Sequence, residues 1–159
     1  MKIKKVKIYI DGGSRGNPGR GACAAAFFDE NNALVEEEVK YLGRCTNNFA
    51  EYNGLILALS IASRLGAAEL KIFSDSELLV RQFNGEYKIK DAALKTLMAG
   101  IRKLAGGFKS ITLSHVPRSR NEYADKLVNN ILDAAAAGPA LAESAAEDHQ
   151  RGLYQPKLF

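Results

Sequence analysis

The segment from Ile3 to Gly19 constrains the fold of this chain more than any other. From Ile3 to Ile10, lysines alternate with Ile, Val and Tyr at period two, the pattern of a half-buried strand. The alternation stops at Asp11-Gly12-Gly13-Ser14-Arg15-Gly16-Asn17-Pro18-Gly19, which holds four glycines and a proline and reads as turn chemistry. Gly21 to Phe28 follows as a second strand. Asn31-Asn32 marks a turn, and Leu34 to Leu42 gives a third strand. Short connections between three successive strands predict an antiparallel meander.

The rest of the chain alternates helices with short strands. Thr46-Asn47-Asn48 offers N-cap residues ahead of a helix from Ala50 to Leu65, which Gly66 ends. Leu70 to Phe73 is a short apolar strand, and Glu77 to about Phe83 a helix broken by Asn84-Gly85. Asp91 caps a further helix to Leu104, which Gly106-Gly107 ends. Ile111 to Val116 is a fifth strand, Pro117 to Asn121 a loop, and Glu122 to Ala137 the last helix. The predicted order is βββ-α-β-α-α-β-α. This is an α/β chain whose mixed sheet has three antiparallel strands, two further strands added through helical crossovers, and helices on its faces. Residues 1–137 form the predicted domain. Residues 138–159, which begin with Gly138-Pro139 and turn rich in Ala, Glu and Ser, are expected to be a tail.

Composition narrows the function. The 159 residues are 47% hydrophobic and 25% charged, a soluble globular balance, and no apolar run approaches the length of a membrane span. A cytoplasmic monomer is expected. Cys23 and Cys45 are too few for a disulfide framework or a cysteine-only zinc site and read as reduced thiols in or near strands. Two histidines, His115 and His149, disfavour a histidine-rich metal centre. The net charge of +4 suits a polyanionic partner.

Four carboxylates stand out against that basic background. Asp11 is expected to close the first strand, Glu51 to lie in the first turn of the first long helix, Asp75 to close the fourth strand, and Asp125 to lie one turn into the last helix. Each has an ordinary alternative. Glu51 would suit the helix dipole, Asp75 could cap the helix after it, Asp11 could stabilise its turn, and Asp125 could face solvent. Jointly they say more. Strand carboxyl ends and helix starts gather at one edge of such a sheet, the usual place for ligands. Four carboxylates there need cations, and hard oxygen donors select Mg²⁺ or Mn²⁺. A pair of such ions suits phosphodiester cleavage.

Ile8-Tyr9-Ile10-Asp11-Gly12-Gly13-Ser14-Arg15-Gly16-Asn17-Pro18-Gly19, Thr46-Asn47-Asn48-Phe49-Ala50-Glu51, Phe73-Ser74-Asp75-Ser76 and His115 to Asp125 together resemble the ribonuclease HI family, in order, over residues 3 to 130. The resemblance implies a five-stranded ribonuclease H-like fold and an endonuclease that cuts the RNA strand of RNA–DNA hybrids, leaving 5′-phosphate and 3′-hydroxyl ends. It implies two Mg²⁺ ions held by Asp11, Glu51, Asp75 and Asp125, with Mn²⁺ as a substitute. Asp11 would bridge both ions. Glu51 would also contact a ribose 2′-hydroxyl. A group assisting proton movement or product release would be His115 or Arg118, between which the sequence leaves the role open. Asn17, Asn47 and Asn48 match minor-groove contacts, Arg44 and Thr46 part of a DNA-phosphate pocket, and the backbone of Gly12 to Gly16, with Gly13 and Ser14 among it, an approach to the RNA strand.

Two departures matter. The chain has no tryptophan, and Phe83 to Lys90 runs straight into the next helix, which resembles the subgroup without a basic handle. Tyr87, Lys88 and Lys90 are candidates to replace part of that handle. The first strand begins almost at residue 1, so no preceding hybrid-binding domain is expected. Gln155, Leu158 and Phe159 resemble a peptide that docks on the replication sliding clamp; the alternative is that this apolar end folds onto the domain. The competing functions are a related nuclease of the same fold and a catalytically silent nucleic-acid-binding module.

Overall fold

Hydrogen bonding along β1 sets the architecture, because this strand pairs on both sides and outruns one of its partners. The computed structural model describes residues 4–138 and Ala146. The elements are β1 (Lys5–Gly16), β2 (Gly19–Phe28), β3 (Leu34–Cys45), α1 (Asn47–Arg64), β4 (Glu69–Ser74), α2 (Glu77–Phe83), α3 (Ala92–Ala105), β5 (Ser110–His115) and α4 (Glu122–Ala137), with a 3₁₀ turn at Arg118–Arg120 before α4. The sheet order is β3-β2-β1-β4-β5. β1, β2 and β3 are antiparallel neighbours, while β4 pairs parallel with both β1 and β5. This is the mixed five-stranded sheet predicted from the sequence. The expected tail, with His149, Gln155, Leu158 and Phe159, lies outside the described residues, apart from Ala146.

The glycine-rich segment departs from the expectation. It is strand, not turn: β1 continues through Asp11 to Gly16, paired in register with Ala24 back to Gly19. Asn17-Pro18 alone makes the turn. The glycines here answer a packing demand rather than a need to reverse the chain. A Cβ on Gly12 would lie 2.2 Å from the Ala50 carbonyl oxygen of α1, and one on Gly54 of α1 would lie 3.0 Å from the Asp11 carbonyl oxygen. Helix and strand approach too closely at Gly12 for a side chain to fit without shifting the backbone, and leave only a tight fit at Gly54. Asp11 therefore sits within β1, not at its end.

Each face of the sheet has its own core. On one face Val6, Ile8, Ile10, Phe27, Leu70 and Ile72 pack against Tyr52, Leu55 and Leu59 of α1, with Leu94, Met98 and Ile101 of α3 in the same cluster. On the other, Ala22, Ala24 and Ala26 of β2 and Val39 of β3 meet Leu127, Val128, Ile131 and Leu132 of α4. Ala146, helical in conformation, is buried in this second cluster. β2 is covered on both faces, which explains its almost unbroken run of small and apolar residues. Cys23 is buried in β2 and Cys45 ends β3; both are free thiols. No helix among the described residues is long and apolar enough to cross a membrane.

Caps fall close to where the sequence places them. Thr46 accepts from the Phe49 amide and Asp91 from the Leu94 amide. α1 starts at Asn47, three residues earlier than its apolar spacing suggests, so Glu51 lies in the second turn rather than the first. Asp75 does not cap α2; Ser76 does, accepting from the Leu79 amide. Residues 84–91 join α2 to α3 with no added helix.

The packing of α1 on β1 yields a stability test. Gly12→Ala must force the two backbones apart and is expected to cost about 3 kcal/mol, read as a lowered urea midpoint at unchanged slope. A midpoint matching the parent would show that the approach is not tight.

Candidate active site

Parallel pairing of β1 with β4 ends at Tyr9 and Phe73, while β1 runs on. Asp11 thus stands just beyond the fork where β4 stops, and Asp75 follows the last residue of β4. Glu51 projects from α1 and Asp125 from the first turn of α4. All four line one cavity of about 430 Å³, together with Gly13, Ser14, Asn47 and Arg118. The site lies at the carboxyl ends of parallel strands, where open α/β sheets place ligands. A hollow of about 380 Å³ at the opposite strand ends is lined by Lys5, Lys7, Asp29, Glu69 and Lys71 and receives none of the four.

Each acid is held by its neighbours. Glu51 accepts from Asn47 Nδ2 at 2.8 Å and from Ser76 Oγ at 2.5 Å. Ser76 therefore both caps α2 and fixes the Glu51 carboxylate. Asp125 accepts from Asn129 Nδ2 at 3.2 Å and faces Arg118 Nη2 at 3.4 Å. Asn121 is 1% exposed, and its Nδ2 donates to the Ile10 carbonyl at 2.8 Å. A hydrogen bond from Asn121 also favours the charged form of Asp75. Asn121 so ties β1, β4 and the start of α4 together behind three of the acids.

The cavity is electrostatically strained. Burial first, then the charges of Asp75 and Asp125, push the Asp11 carboxyl up to about 8. Burial also raises Glu51 and Asp75, against the hydrogen bonds from Ser76 and Asn47 to the former and from Asn121 to the latter. No three His, Cys, Asp or Glu side chains among the described residues converge at metal-ligand spacing. The four acids share one cavity, and Asp11 stands close enough to Asp125 for the two carboxyls to share a hydrogen bond, a like-charge contact that favours a proton or a cation between them. The donor set is all hard oxygen, which fits a Mg²⁺-type cation.

The candidate substrate residues divide between this cavity and an adjoining groove of about 430 Å³. That groove holds Asn17, Arg44, Thr46 and Asn48 with Cys45, Phe49 and Asp91. Asn47 is engaged within the protein: its Oδ1 accepts from the Ser14 amide at 3.2 Å, and its own amide donates to Asn17 Oδ1 at 3.1 Å. It is the link between the hairpin and Glu51. Arg118 lines the four-acid cavity, whereas His115, at the end of β5 beside Ser74, does not.

Ser76, Asn121 and Asn129 escape a sequence reading as site residues. Along the chain Ser76 is merely the neighbour of Asp75 and Asn121 the end of a loop; folding brings Ser76 to Glu51 of α1 and Asn121 to Ile10 of β1.

A sheet of this order, with acids gathered at its fork, defines the ribonuclease H-like class, and similarity to known proteins agrees. The family model described as reverse transcriptase-like matches residues 9–131. "Bifunctional protein Rv2228c" of Mycobacterium tuberculosis is 44% identical over 137 residues, which is 86% of this chain and 38% of that protein. The chain thus spans well under half the length of that relative. The N-terminal RNase H domain of Rv2228c, solved as a fusion with maltose-binding protein, superposes with a TM-score of 0.81, covering 84% of this chain and 97% of that one. "Ribonuclease HI" of Halobacterium salinarum is 39% identical over 82% of this chain and 66% of its own length. LC11-RNase H1, solved in complex with an RNA/DNA hybrid, is 38% identical with a TM-score of 0.79, over 82% of this chain and 99% of that one. The chain is a member of the ribonuclease HI family.

The raised Asp11 carboxyl has a measurable consequence. Its folded value lies above its ordinary 3.8, so the native state binds a proton that the unfolded chain releases. Without divalent cations, stability falls as pH rises from about 4 toward 8. Asp11→Asn removes this penalty. The variant is expected to melt above the parent at pH 8 in chelator and to converge with it near pH 4. A constant gap at all pH values would contradict the assignment.

Proposed function

We propose that this chain is an endonuclease that hydrolyses the RNA strand of RNA–DNA hybrids, leaving 5′-phosphate and 3′-hydroxyl ends. The observation that carries the reading is the gathering of Asp11, Glu51, Asp75 and Asp125 in one cavity beside a groove lined by Asn17, Arg44, Thr46 and Asn48. The four carboxylates would hold Mg²⁺, with Mn²⁺ as a substitute. When bound, such ions make water a nucleophile near neutral pH and offset charge on the leaving oxygen.

The chain's own residues do the positioning. Ser76 and Asn47 aim the Glu51 carboxylate, and Asn121 locks the strand carrying Asp11 against the helix carrying Asp125. Asn17 and Asn48 present amides suited to the degenerate minor-groove pattern, which gives little sequence preference. Arg44 and Thr46, which line the same groove, would grip a phosphate of the DNA strand. Arg118, with a side chain 77% exposed, is free to swing between Asp125 and a phosphate, and it is the cation this reading assigns to assist the reaction in preference to His115.

The test is cleavage of an end-labelled RNA–DNA hybrid beside matched RNA–RNA and DNA–DNA duplexes, in Mg²⁺ and in Mn²⁺. Internal cuts confined to the hybrid's RNA strand, lost by several orders of magnitude in Asp11→Asn, are expected. Binding of the hybrid without cleavage in either metal would overturn the reading and leave a silent binding module.

A further inference from the structure

Three arginines stand in register across the tip of the meander. Arg15 of β1 pairs with Arg20 of β2, and Arg20 with Arg44 of β3. Directly opposed residues bring their Cβ atoms to about 5 Å, where like charges are unfavourable. All three side chains are exposed and line a single groove of about 420 Å³, walled on its far side by Leu132 and Ala136 of α4. The groove is continuous with the sites on either side of it. Arg15 and Leu132 also line the four-acid cavity, and Arg44 also lines the groove of Asn17 and Asn48.

The partners already present leave the groove positive. Arg15 Nη2 lies 2.6 Å from Asp133 Oδ1, but the two side chains are 44% and 68% exposed, and such a surface pair holds weakly. Arg20 donates one hydrogen bond, from Nη1 to the Ala135 carbonyl at 3.1 Å, leaving its other donors for a ligand. Arg44 has no hydrogen bond or ion pair among the described residues. Three cations against one carboxylate face a slot whose guanidinium forks match phosphate oxygens.

We propose that Arg15 and Arg20 extend the substrate site into a phosphate-binding track for the strand being cut, running from the four-acid cavity along β1 and β2 and stopping short of Arg44, which keeps its phosphate of the DNA strand. Asp133 competes with that strand for Arg15 and so tunes its grip. The track deepens the hybrid-cutting reading and rests on it. A purely structural role, in which the two arginines clasp the end of α4, predicts different behaviour.

The measurement is affinity of the full chain for a fluorescent RNA–DNA hybrid as salt rises from about 50 to 200 mM, in an Asp11→Asn background that leaves the hybrid uncut. Arg15→Gln with Arg20→Gln is expected to flatten the slope of log affinity against log salt by about 2, one for each phosphate no longer neutralised, while Arg15→Lys keeps the slope nearer the parent's. Asp133→Asn is expected to tighten binding a few-fold with little change in melting temperature. An unchanged slope in the double variant, or an Asp133→Asn protein that binds more weakly and melts lower, overturns the track. The background protein binding the hybrid with these arginines irrelevant sinks the track alone. Its failure to bind hybrid at all sinks the hybrid-cutting reading and the track with it.

Discussion

The close approach of α1 to β1 is the packing on which the rest of the site depends. A Cβ at Gly12 would run into the backbone of Ala50 and Glu51, and one at Gly54 would crowd the backbone of Asp11, so both glycines let helix and strand close on each other. Because the backbones touch there, Glu51 faces the same cavity as Asp11, and the start of α1 lies against the hairpin tip. Asn47 can then reach Ser14, Asn17 and Glu51 at once. A wider helix–sheet spacing would keep the fold and lose this junction.

Electrostatics follow from the same packing. The sheet fork and the approach of α1 place three carboxylates in partly buried surroundings, with Asp125 close by, and burial raises the proton affinity of Asp11, Glu51 and Asp75. The hydrogen bonds from Ser76, Asn47 and Asn121 favour ionised carboxylates and offset only part of that burial. What remains is a site suited to cationic company, set beside exposed arginines on the hairpin and at Arg118. Acids at the centre with cations around them suit a ligand that brings both divalent ions and phosphates.

Much of this is legible along the chain. Period-two alternation, Thr46 and Asp91 as caps, and glycines after α1 and α3 place the elements in order, and the four acids mark the sheet edge. Glycine misleads where it means close packing instead of a turn. Gly12 and Gly13 look like a chain reversal until Ala50 and Ala22 are known to lie against them. Asn47 and Asn48 read as cap residues because asparagine is a poor helix former, yet they open α1. Asn121, although it adjoins α4, uses its side chain to bond Ile10, more than a hundred residues away. The arginine row is invisible without register, since its members are spread over three strands.

In the proposed function, this packing makes one cation-binding centre of four acids drawn from β1, α1, the end of β4 and α4. Anomalous diffraction from crystals soaked in Mn²⁺ tests it most directly. Metal density is expected inside the cavity, touching Asp11 and carboxylates from at least two other elements, and absent from Asp11→Asn crystals. Density elsewhere on the surface, or an unchanged cavity peak in the Asp11→Asn crystals, would contradict it.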